Sequence, residues 1–524
     1  MAPLADNPAL VFIGFMGAGK SAAARSVAEA LGEPCVDADE AFVEARGELP
    51  AAYIEEHGED AFRLAEEELV VGLLRQGPRV IALGGGAIET AGVRDALSEH
   101  VVVWCRVGLD EATRRVSGDP AEWRPLAADS AVFVERFQRR QPIYGELADA
   151  ILPEGDEGLP GRAAPFLGAL RELPGVRLAW AHSRSGEYPV FVGAGLLDTE
   201  PLGRAARHGD IALPSDRAFL VTDSTVGALY GDRLRHVVGR LEVAPGEQAK
   251  TLAEAERVLR ELAELGMRRS DHLLALGGGV VGDLAGFCAA TYQRGVDLVH
   301  LPTTLVAQVD SAYGGKTGVD LPEAKNYVGA YHLPKAVLAD PETLTTLPPE
   351  ELAAGFAEVL KTGLLAGGAL WERVTRLEPR APVPADVIFD CALTKLDVVA
   401  ADERDAGARA ALNLGHTVGH AIEAATGYAR YRHGEAVGLG LLAALRLSGA
   451  GALRDEVRSR LEAWGLPTSL EPGVDTEAVL AAVERDKKRT SAGVGFVLLE
   501  RPGEPRLGQL VQADRVRAAV DELR

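Results

Sequence analysis

The chain has 524 residues, of which 47% are apolar and 25% carry a charge, and its formal net charge at pH 7 is -22. A chain of this length is expected to form about three to four domains, each with a buried core of its own. Its acidic excess, without a basic cluster or tail, argues against nucleic acid or an anionic membrane as the main partner.

The four cysteines lie far apart and lack the CxxC spacing of metal and redox motifs. We therefore expect free thiols in a reducing compartment. The N-terminus has no basic segment followed by a long apolar run, so we expect no signal peptide, and the apolar run at residues 9–13 is too short to span a bilayer. Together these features predict a cytoplasmic protein.

Residues 1–152 alternate short apolar runs with amphipathic stretches, which predicts an α/β domain with a parallel sheet. Continuous apolar runs indicate buried strands, and apolar residues three and four apart indicate helices. The predicted strands are residues 10–13, 79–83 and 101–105, and the predicted helices are residues 21–31 and 58–74.

The segment GFMGAGKS at residues 14–21 follows the first predicted strand and precedes a helix-forming run. This is the spacing of P-loops, whose backbone N–H groups cradle the phosphates of a nucleotide. We therefore expect ATP with Mg²⁺ here, with Lys20 reaching the β and γ phosphates and Ser21 binding the ion. The expected backbone cradle is Gly17, Ala18, Gly19 and Lys20.

Other residues of this region stand where a second substrate could bind. Asp37 and Asp39 come at the end of a predicted strand, where one carboxylate could organise the water around Mg²⁺ and the other could hydrogen-bond a hydroxyl acceptor. Three consecutive glycines end the next strand and allow close approach of a ligand to the backbone. The arginines are Arg63 in a helix, Arg124 in a polar segment suited to a lid, and Arg140.

Together these motifs resemble shikimate kinase over about residues 8–152. The resemblance implies that Arg63 and Arg140 bind the carboxylate of shikimate, that Arg124 closes over the phosphates and that Asp37 supports Mg²⁺. Arg114 and Arg115 are the candidates for contact with adenine. The implied shikimate site consists of Asp39, Arg63, Gly84, Gly85, Gly86 and Arg140.

The rest of the chain divides by composition into a linker and two further regions. Residues 153–180 are rich in Pro, Gly and Ala and are predicted to be a linker, with a short helix around 163–173. Residues 181–345 predict a second α/β domain, and residues 346–524 predict a mainly α-helical domain. The predicted strands are residues 218–223, 272–276 and 494–499, and the predicted helices are residues 349–365, 387–401, 416–425 and 436–448.

Metal-site chemistry appears in the helical region. Glu358 and Lys361 lie one turn apart on a predicted helix, and His416 and His420 share one face of another. His433 precedes a further helix. Two histidines, one glutamate and an open position are the ligand set of catalytic zinc.

These residues, with the triple glycine at 277–279 and the polar loops after it, resemble 3-dehydroquinate synthase from about residue 181 to the end. The resemblance implies Glu358, His416 and His433 as ligands of zinc or another divalent ion such as cobalt, with His420 beside the metal. It implies an NAD site made of Asp223, Glu247, Lys250, Gly278, Gly279, Asp283, Thr303, Thr304, Asp310, Lys325 and Thr346. It implies a substrate site made of Arg294, Lys316, Asn326, Lys361, Lys395, Arg409, Asn413, His420 and Lys487.

The implied substrate is 3-deoxy-arabino-heptulosonate 7-phosphate, whose phosphate and carboxylate require several Lys and Arg residues. NAD would remove a hydride and return it, and zinc would polarise the oxidised hydroxyl as a Lewis acid. His420 would move a proton. Arg294 would reach the phosphate site of a neighbouring subunit, so the resemblance also implies a homodimer.

The two resemblances together imply a bifunctional shikimate-pathway enzyme with small-molecule substrates. The expected catalytic residues are Lys20, Asp39, Arg124, Lys316, Lys361, Arg409, Asn413 and His420. One alternative keeps both folds but makes the second half another sugar-phosphate cyclase or a polyol dehydrogenase-like enzyme. Another makes the first half a regulatory domain that binds ATP without catalysis.

Overall fold

The computed structural model describes residues 8–77, 80–118, 130–198, 217–322, 324–405, 407–485, 489–490 and 493–524. Arg124 and Lys487, both expected in a site, lie outside the described residues. The chain forms two compact units. The first contains the described residues up to Ala181 together with Pro189–Phe191, and the second contains His182–Tyr188, Val192–Asp198 and the described residues from 217 to the end.

The first unit is an α/β fold built on a parallel sheet in the order β2-β3-β1-β4-β5-β6. Its strands are β1 (Leu10–Ile13), β2 (Cys35–Asp37), β3 (Val80–Ala82), β4 (Val101–Cys105), β5 (Ala150–Leu152) and β6 (Arg177–Ser183). Its helices are α1 (Lys20–Leu31), α2 (Ala38–Arg46), α3 (Pro50–His57), α4 (Glu59–Gln76), α5 (Ala91–Leu97), α6 (Leu109–Gly118), α7 (Ser130–Leu147) and α8 (Leu159–Leu170). Strand β6 and the next strand, β7 (Gly186–Val192), contribute residues to both units.

The three central strands explain where the first site forms. All residues of β1, β3 and β4 are buried, as expected for strands covered on both faces. The P-loop follows β1, Asp37 is the last residue of β2, and the glycine turn follows β3, so these features meet at the carboxyl edge of the sheet. The sequence had placed Asp39 at a strand end; the strand stops at Asp37, and Asp39 lies in the first turn of α2.

The segment predicted as a linker contains regular structure that belongs to the first unit. Helix α8 buries Leu159, Phe166 and Leu167, and β6 pairs with β5. Its glycines permit close packing on α1: a Cβ at Gly161 would lie 3.1 Å from Ser26 Oγ, and one at Gly168 would lie 3.5 Å from Leu31 Cδ2. The glycines that suggested a linker therefore allow α8 to pack closely on α1.

The second unit begins with another parallel sheet, in the order β14-β11-β10-β8-β9. These strands are β8 (Ala218–Asp223), β9 (Val237–Val243), β10 (His272–Gly277), β11 (Asp297–Pro302) and β14 (Ala336–Ala339). Helices α9 (Ser224–Tyr230), α10 (Leu252–Glu264) and α11 (Gly279–Thr291) connect them. An antiparallel hairpin, β12 (Lys316–Leu321) with β13 (Ala324–Tyr331), follows β11.

The remainder of the second unit is mainly helical, as predicted. Its helices are α12 (Pro349–Ala366), α13 (Gly368–Val374), α14 (Ala385–Ala401), α15 (His416–Ala425), α16 (His433–Ser448), α17 (Gly451–Ala463), α18 (Thr476–Glu484) and α19 (Ala513–Asp521). A small antiparallel sheet is formed by β15 (Arg489–Thr490), β16 (Gly493–Leu499) and β17 (Pro505–Leu510). The mixed α/β class with a helical C-terminal part is confirmed.

All four cysteines are free, with Cys105, Cys288 and Cys391 buried and Cys35 half-buried. Burial raises the pKa of the Cys105 and Cys288 thiols to about 12, so both stay protonated. Among the described residues, every helix is too short or too polar to cross a lipid bilayer.

Helix α16 packs so closely on the start of α15 that a side chain at Gly440 would collide with the carbonyl of Gly415. We predict that Gly440→Ala lowers the free energy of unfolding by about 1–3 kcal/mol, because overpacking here displaces backbone. The measurement is the urea midpoint of unfolding, with Gly451→Ala as the control because nothing lies within 4 Å of its Cβ position. Equal midpoints for the two variants would contradict the close packing.

Candidate active sites

The P-loop of the first unit has the conformation that a phosphate cradle needs. Gly17 and Gly19 adopt φ angles of 76° and 77°, which only glycine reaches at low cost, and Gly19 caps the N-terminus of α1. The backbone N–H groups at the start of α1 are therefore turned toward a common anion position. Lys20 Nζ donates a hydrogen bond to the carbonyl of Phe15 at 3.2 Å, across the loop.

Arg115, one of the two candidates for adenine contact, belongs to the same corner. Its Nη1 donates to the carbonyl of Gly17 at 3.0 Å, and its Nε is 2.5 Å from Glu111. Arg114 also pairs with Glu111 but is exposed. The structure therefore brings Arg115, and not Arg114, to the P-loop.

The two aspartates of the first unit have different settings. Asp37 ends β2 and caps α2, accepting a hydrogen bond from the N–H of Asp39 at 3.0 Å. Asp39 faces the glycine turn, because a Cβ at Gly84 would lie 3.1 Å from its Oδ1. A ligand hydroxyl at this turn would meet Asp39, while Asp37 lies nearer the P-loop helix, where Arg25 is 3.8 Å away.

The arginines expected to hold a carboxylate converge beside the same turn. Arg63 Nη1 is 2.5 Å from Glu66, and Arg140 Nη2 is 2.6 Å from Glu89 Oε2. The guanidinium of Arg63 also fills the space where a side chain at Gly86 would lie. Arg63 and Arg140 thus meet around Glu89, whose Oε2 is 4.0 Å from Arg63 Nη2.

The carboxylates in this cluster respond differently to burial. Burial raises the pKa of Glu66, and its ion pair with Arg63 offsets only part of that effect. Burial also acts on Glu89, but the hydrogen bonds and charges of Arg140 and Arg139 outweigh it and lower the pKa of Glu89. Neither glutamate was predicted as a site residue; Glu66 is three residues after Arg63, a spacing that offers a sequence signal.

The second unit contains a cleft of about 1260 Å³ between its parallel sheet and its helical part. It brings together the great majority of the residues predicted for NAD, metal and substrate. The predicted residues that line it are Asp223, Glu247, Lys250, Gly278, Gly279, Asp283, Thr304, Asp310, Lys316, Lys325, Asn326, Glu358, Lys361, Lys395, Arg409, Asn413, His416, His420 and His433.

Three predicted residues lie outside this lining. Thr303 is buried beneath the glycine turn, with its N–H bonded to the Gly277 carbonyl. Thr346 Oγ1 is 2.6 Å from the Tyr230 hydroxyl. Arg294 is exposed and does not line the cleft of its own unit.

Glu358, His416 and His433 form a group suited to one metal ion, with ligand atoms within 4.8 Å of one another. Glu358 is fully buried on α12, and its Oε1 is 3.5 Å from His416 Nε2 and 3.3 Å from His433 Nε2. Among the described residues, neither oxygen of Glu358 accepts a hydrogen bond of ordinary geometry, although Lys361 forms an ion pair with Oε2. A buried carboxylate facing two ring nitrogens fits a divalent cation.

The ring orientations also suit metal ligation. His416 Nδ1 lies 3.2 Å from the carbonyl of Leu414, and since a carbonyl only accepts, Nδ1 carries the proton and Nε2 keeps its lone pair. Burial, followed by the charge of Lys361, lowers the pKa of His416 and keeps the ring neutral. His433 Nδ1 faces Glu423 Oε2 at 3.4 Å, so its Nε2 also turns toward Glu358.

Glu423 lines the cleft beside the metal group, and the sequence reasoning missed it. It lies one turn after His420 on α15, is buried, and contacts Lys325 at 3.3 Å as well as His433. Burial opposes its ionisation, but His433 and then Lys325 outweigh this and lower its pKa to about 2. Burial lowers the pKa of His433, but the hydrogen bonds and charges of Glu358 and Glu423 outweigh this effect. They raise the pKa of the His433 ring to about 10 without a metal.

The cations of the cleft are matched by carboxylates. Lys361 Nζ is 3.0 Å from Asp310 Oδ2, and Lys395 donates to the same aspartate. Burial disfavours the charge on Asp310, but these two lysines outweigh it and hold its pKa well below the usual range. Lys250 is 2.6 Å from Asp283 and also donates to Asn326.

At the mouth of the cleft, Lys316 is 2.5 Å from Asp405. The guanidinium of the buried Arg409 donates to the carbonyl of Glu403 at 2.7 Å. The arrangement thus offers ammonium and guanidinium groups to an anionic ligand beside the metal group.

Comparison with known proteins finds family models that match each unit. The family model for shikimate kinase matches residues 16–160. The models for the N-terminal and C-terminal parts of 3-dehydroquinate synthase match residues 240–354 and 355–489. A 3-dehydroquinate synthase of Symbiobacterium thermophilum is 43% identical over 356 residues, which cover 64% of this chain and 98% of that protein.

Two solved structures are similar to the second part of the chain. 2-epi-5-epi-valiolone synthase from Streptomyces hygroscopicus, with NAD⁺ and Zn²⁺ bound, has a TM-score of 0.57 at 26% identity and covers 66% of this chain and 98% of its own. 2-deoxy-scyllo-inosose synthase, complexed with carbaglucose-6-phosphate, NAD⁺ and Co²⁺, has a TM-score of 0.57 at 24% identity and covers 66% and 99%. The latter supports the fold alone.

We predict that His416→Ala removes most of the divalent metal that co-purifies with the protein, because it deletes one of the three ligand side chains. The measurement is metal content by plasma mass spectrometry after dialysis, with His182→Ala as the control because His182 is exposed and outside the group. ATP binding by the first unit should not change. Equal metal content in the two variants would exclude His416 as a ligand.

Proposed function

Because the chain belongs to the 3-dehydroquinate synthase family and its first part matches shikimate kinase, we propose that it is a bifunctional shikimate-pathway enzyme. One activity phosphorylates shikimate with ATP. The other converts 3-deoxy-arabino-heptulosonate 7-phosphate to 3-dehydroquinate with release of phosphate. The observation that carries the second activity is the group of Glu358, His416 and His433, which lines a cleft that also contains several lysines.

In the kinase half, the P-loop holds ATP and its Mg²⁺, with Ser21 and Asp37 on the side of the ion. Asp39 hydrogen-bonds a ring hydroxyl of shikimate and favours transfer of its proton, since its carboxylate faces the glycine turn. Arg63 and Arg140 bind the carboxylate of shikimate. Lys20 stabilises the negative charge that develops on the transferred phosphoryl group.

In the synthase half, bound NAD and a divalent metal, zinc or cobalt, supply hydride transfer and Lewis-acid polarisation. The chain's own residues bind and orient the substrate. Lys316, Lys361, Lys395 and Arg409 bind its phosphate, carboxylate and hydroxyls, and Asn326 and Asn413 add hydrogen bonds. His420, exposed beside the metal group on the same helix as His416, is placed to move a proton.

The glycine turn and the charges next to it suit NAD. Gly278 caps α11 and Gly279 opens it, so the helix N-terminus can receive a pyrophosphate. Asp223, which ends β8, and the pair Lys250–Asp283 line the same cleft. We assign the nucleotide to this side of the cleft and the substrate to the metal side.

Three further features belong to the proposal. The domain division is residues 1–152, 181–345 and 346–524, with residues 153–180 completing the first domain through α8 and β6. Arg294 is exposed and lies outside the lining of its own cleft, which supports a homodimer in which it reaches the partner's phosphate site. The cytoplasm is the proposed location.

Neither alternative function has equal support. A different cyclase is less well supported because the identity to 2-epi-5-epi-valiolone synthase is 26%, whereas the identity to the 3-dehydroquinate synthase of Symbiobacterium thermophilum is 43%. A regulatory first half is less well supported because Lys20, Ser21, Asp39 and both shikimate arginines are all present.

The function predicts two separable reactions in one purified protein. Phosphate release from 3-deoxy-arabino-heptulosonate 7-phosphate should need catalytic NAD⁺ and metal, without accumulation of NADH at 340 nm. Lys20→Met should abolish phosphorylation of shikimate and leave phosphate release unchanged, because Lys20 belongs to the first unit. Net NADH formation would instead indicate a dehydrogenase, and loss of both reactions in Lys20→Met would refute independent sites.

We predict that Asp39→Asn reduces kcat for shikimate phosphorylation by about 10²-fold or more, because a positioned carboxylate base is replaced by a neutral amide. The KM for ATP should change little, since Asp39 faces the glycine turn and not the P-loop. Steady-state kinetics measure both constants, and Asp60→Asn, an exposed position on α4, is the matched control. A kcat equal to that of the control would remove Asp39 from the site.

A further inference from the structure

The turn after β3 brings a carboxylate of the chain itself to the two arginines proposed to hold the carboxylate of shikimate. Glu89 ends a short 3-10 helix, Ala87–Glu89, that directly follows the glycine turn. Its Oε2 is 2.6 Å from Arg140 Nη2 and 4.0 Å from Arg63 Nη2. An internal carboxylate therefore lies at the point toward which both guanidinium groups converge.

Glu89 is shared between a buried and an exposed arginine. Arg140 is 2% exposed, and its Nε has no hydrogen-bond partner among the described residues. Arg139, the preceding residue of α7, is 51% exposed and lies 2.7 Å from Glu89 Oε1. Glu89 can thus release Arg140 and keep a charged partner at the surface.

The backbone beneath Glu89 is held in place, so only its side chain has freedom to turn. Arg94 Nη1 donates to the carbonyls of Ile88 at 3.0 Å and Glu89 at 2.9 Å. The Tyr144 hydroxyl donates to the Gly85 carbonyl at 2.5 Å, which ties α7 to the glycine turn. The glycine turn and α7, the helix that carries Arg139 and Arg140, are therefore fixed to each other.

The neighbouring Glu66 has a different role. It pairs with Arg63, is only 4% exposed, and packs under Gly84, where a Cβ would lie 2.5 Å from its Oε1. Glu66 forms its ion pair with Arg63 and is buried away from Arg139, the exposed arginine that Glu89 contacts. Glu66 fits a fixed brace of Arg63, whereas Glu89 fits an exchangeable partner of Arg140.

We propose that Glu89 occupies the place of the acceptor's carboxylate in the empty kinase site and passes to Arg139 when that carboxylate binds. The inference rests on the proposed function only in assigning shikimate to this site. It makes Glu89 an affinity-determining residue for carboxylate ligands: each ligand must exchange one ion pair of Arg140 for another. Arg139 lowers the cost of that exchange because it receives the displaced carboxylate.

Two variants with opposite expected effects test the exchange. Glu89→Gln keeps the size of the side chain and removes its charge, so the KM for shikimate should fall by about two- to fivefold, the range expected for a partly exposed ion pair. Arg139→Gln removes the surface partner, so the KM should rise by about the same factor. The double variant should behave like Glu89→Gln, because Arg139 acts through Glu89. The kcat and the KM for ATP should stay within about twofold, which also reports on folding of the unit.

A simple brace would give the opposite sign. If Glu89 only holds Arg140 in position, Glu89→Gln raises the KM, and that result would overturn the proposal. So would a double variant whose KM equals that of Arg139→Gln.

Calorimetric titration with benzoate, a plain carboxylate, separates this inference from the proposed function. If the wild-type protein does not phosphorylate shikimate but Glu89→Gln binds benzoate more tightly, the exchange stands and the assigned substrate is wrong. If the wild-type protein phosphorylates shikimate but Glu89→Gln binds neither shikimate nor benzoate more tightly, the function stands and the exchange is wrong.

Discussion

The buried ammonium of Lys361 is the charge around which the cleft of the second unit is arranged. Its Nζ lies 3.0 Å from Asp310 Oδ2 and 2.5 Å from Glu358 Oε2, and the side chains of Lys361 and Glu358 are 1% and 0% exposed. Isolated charges at such depth would cost several kcal/mol each, so every member depends on its partners. Because Lys361 engages Oε2, the other oxygen of Glu358 is left to face His416 and His433. One turn of α12 therefore carries both Lys361, which is proposed to bind the substrate, and Glu358, which belongs to the metal group.

The sequence predicted the members of this arrangement that follow local geometry. Glu358 and Lys361 at i, i+3 and His416 and His420 at i, i+4 share helix faces whatever the tertiary fold, so their spacing alone was informative. His433 opens a separate helix, and its choice over His420 as a metal ligand came from the resemblance. Asp310 was assigned to NAD, but its position between Lys361 and Lys395 depends on how the short π-helix Ala307–Ser311 meets α12 and α14, which no spacing encodes.

The misses have a common physical origin. Glu423 and Glu89 form ion pairs with other side chains of the protein. Glutamates are so common on protein surfaces that the residue type alone does not indicate a site. Similarly, the prolines and glycines of 153–180 read as a linker because composition does not distinguish a flexible segment from a helix that packs closely. Pro160 lies in the first turn of α8, where a missing N–H costs nothing, and Gly161 and Gly168 let α8 approach α1. Local sequence rules predicted helices and strands, but the close approach of one helix to another is visible only in the folded structure.

Both sites must bind anions in a chain whose net charge is -22. In both sites the cationic side chains are paired with carboxylates of the chain itself. Arg63 and Arg140 have Glu66 and Glu89, while Lys250, Lys316 and Lys361 have Asp283, Asp405 and Asp310. Such pairing avoids the repulsion of clustered cations and the cost of burying them alone. It also means that an anionic substrate binds by exchanging partners, so its affinity reflects a difference between two ion pairs. Residues that never touch the substrate, such as Arg139, then influence affinity by stabilising the carboxylate that has been displaced.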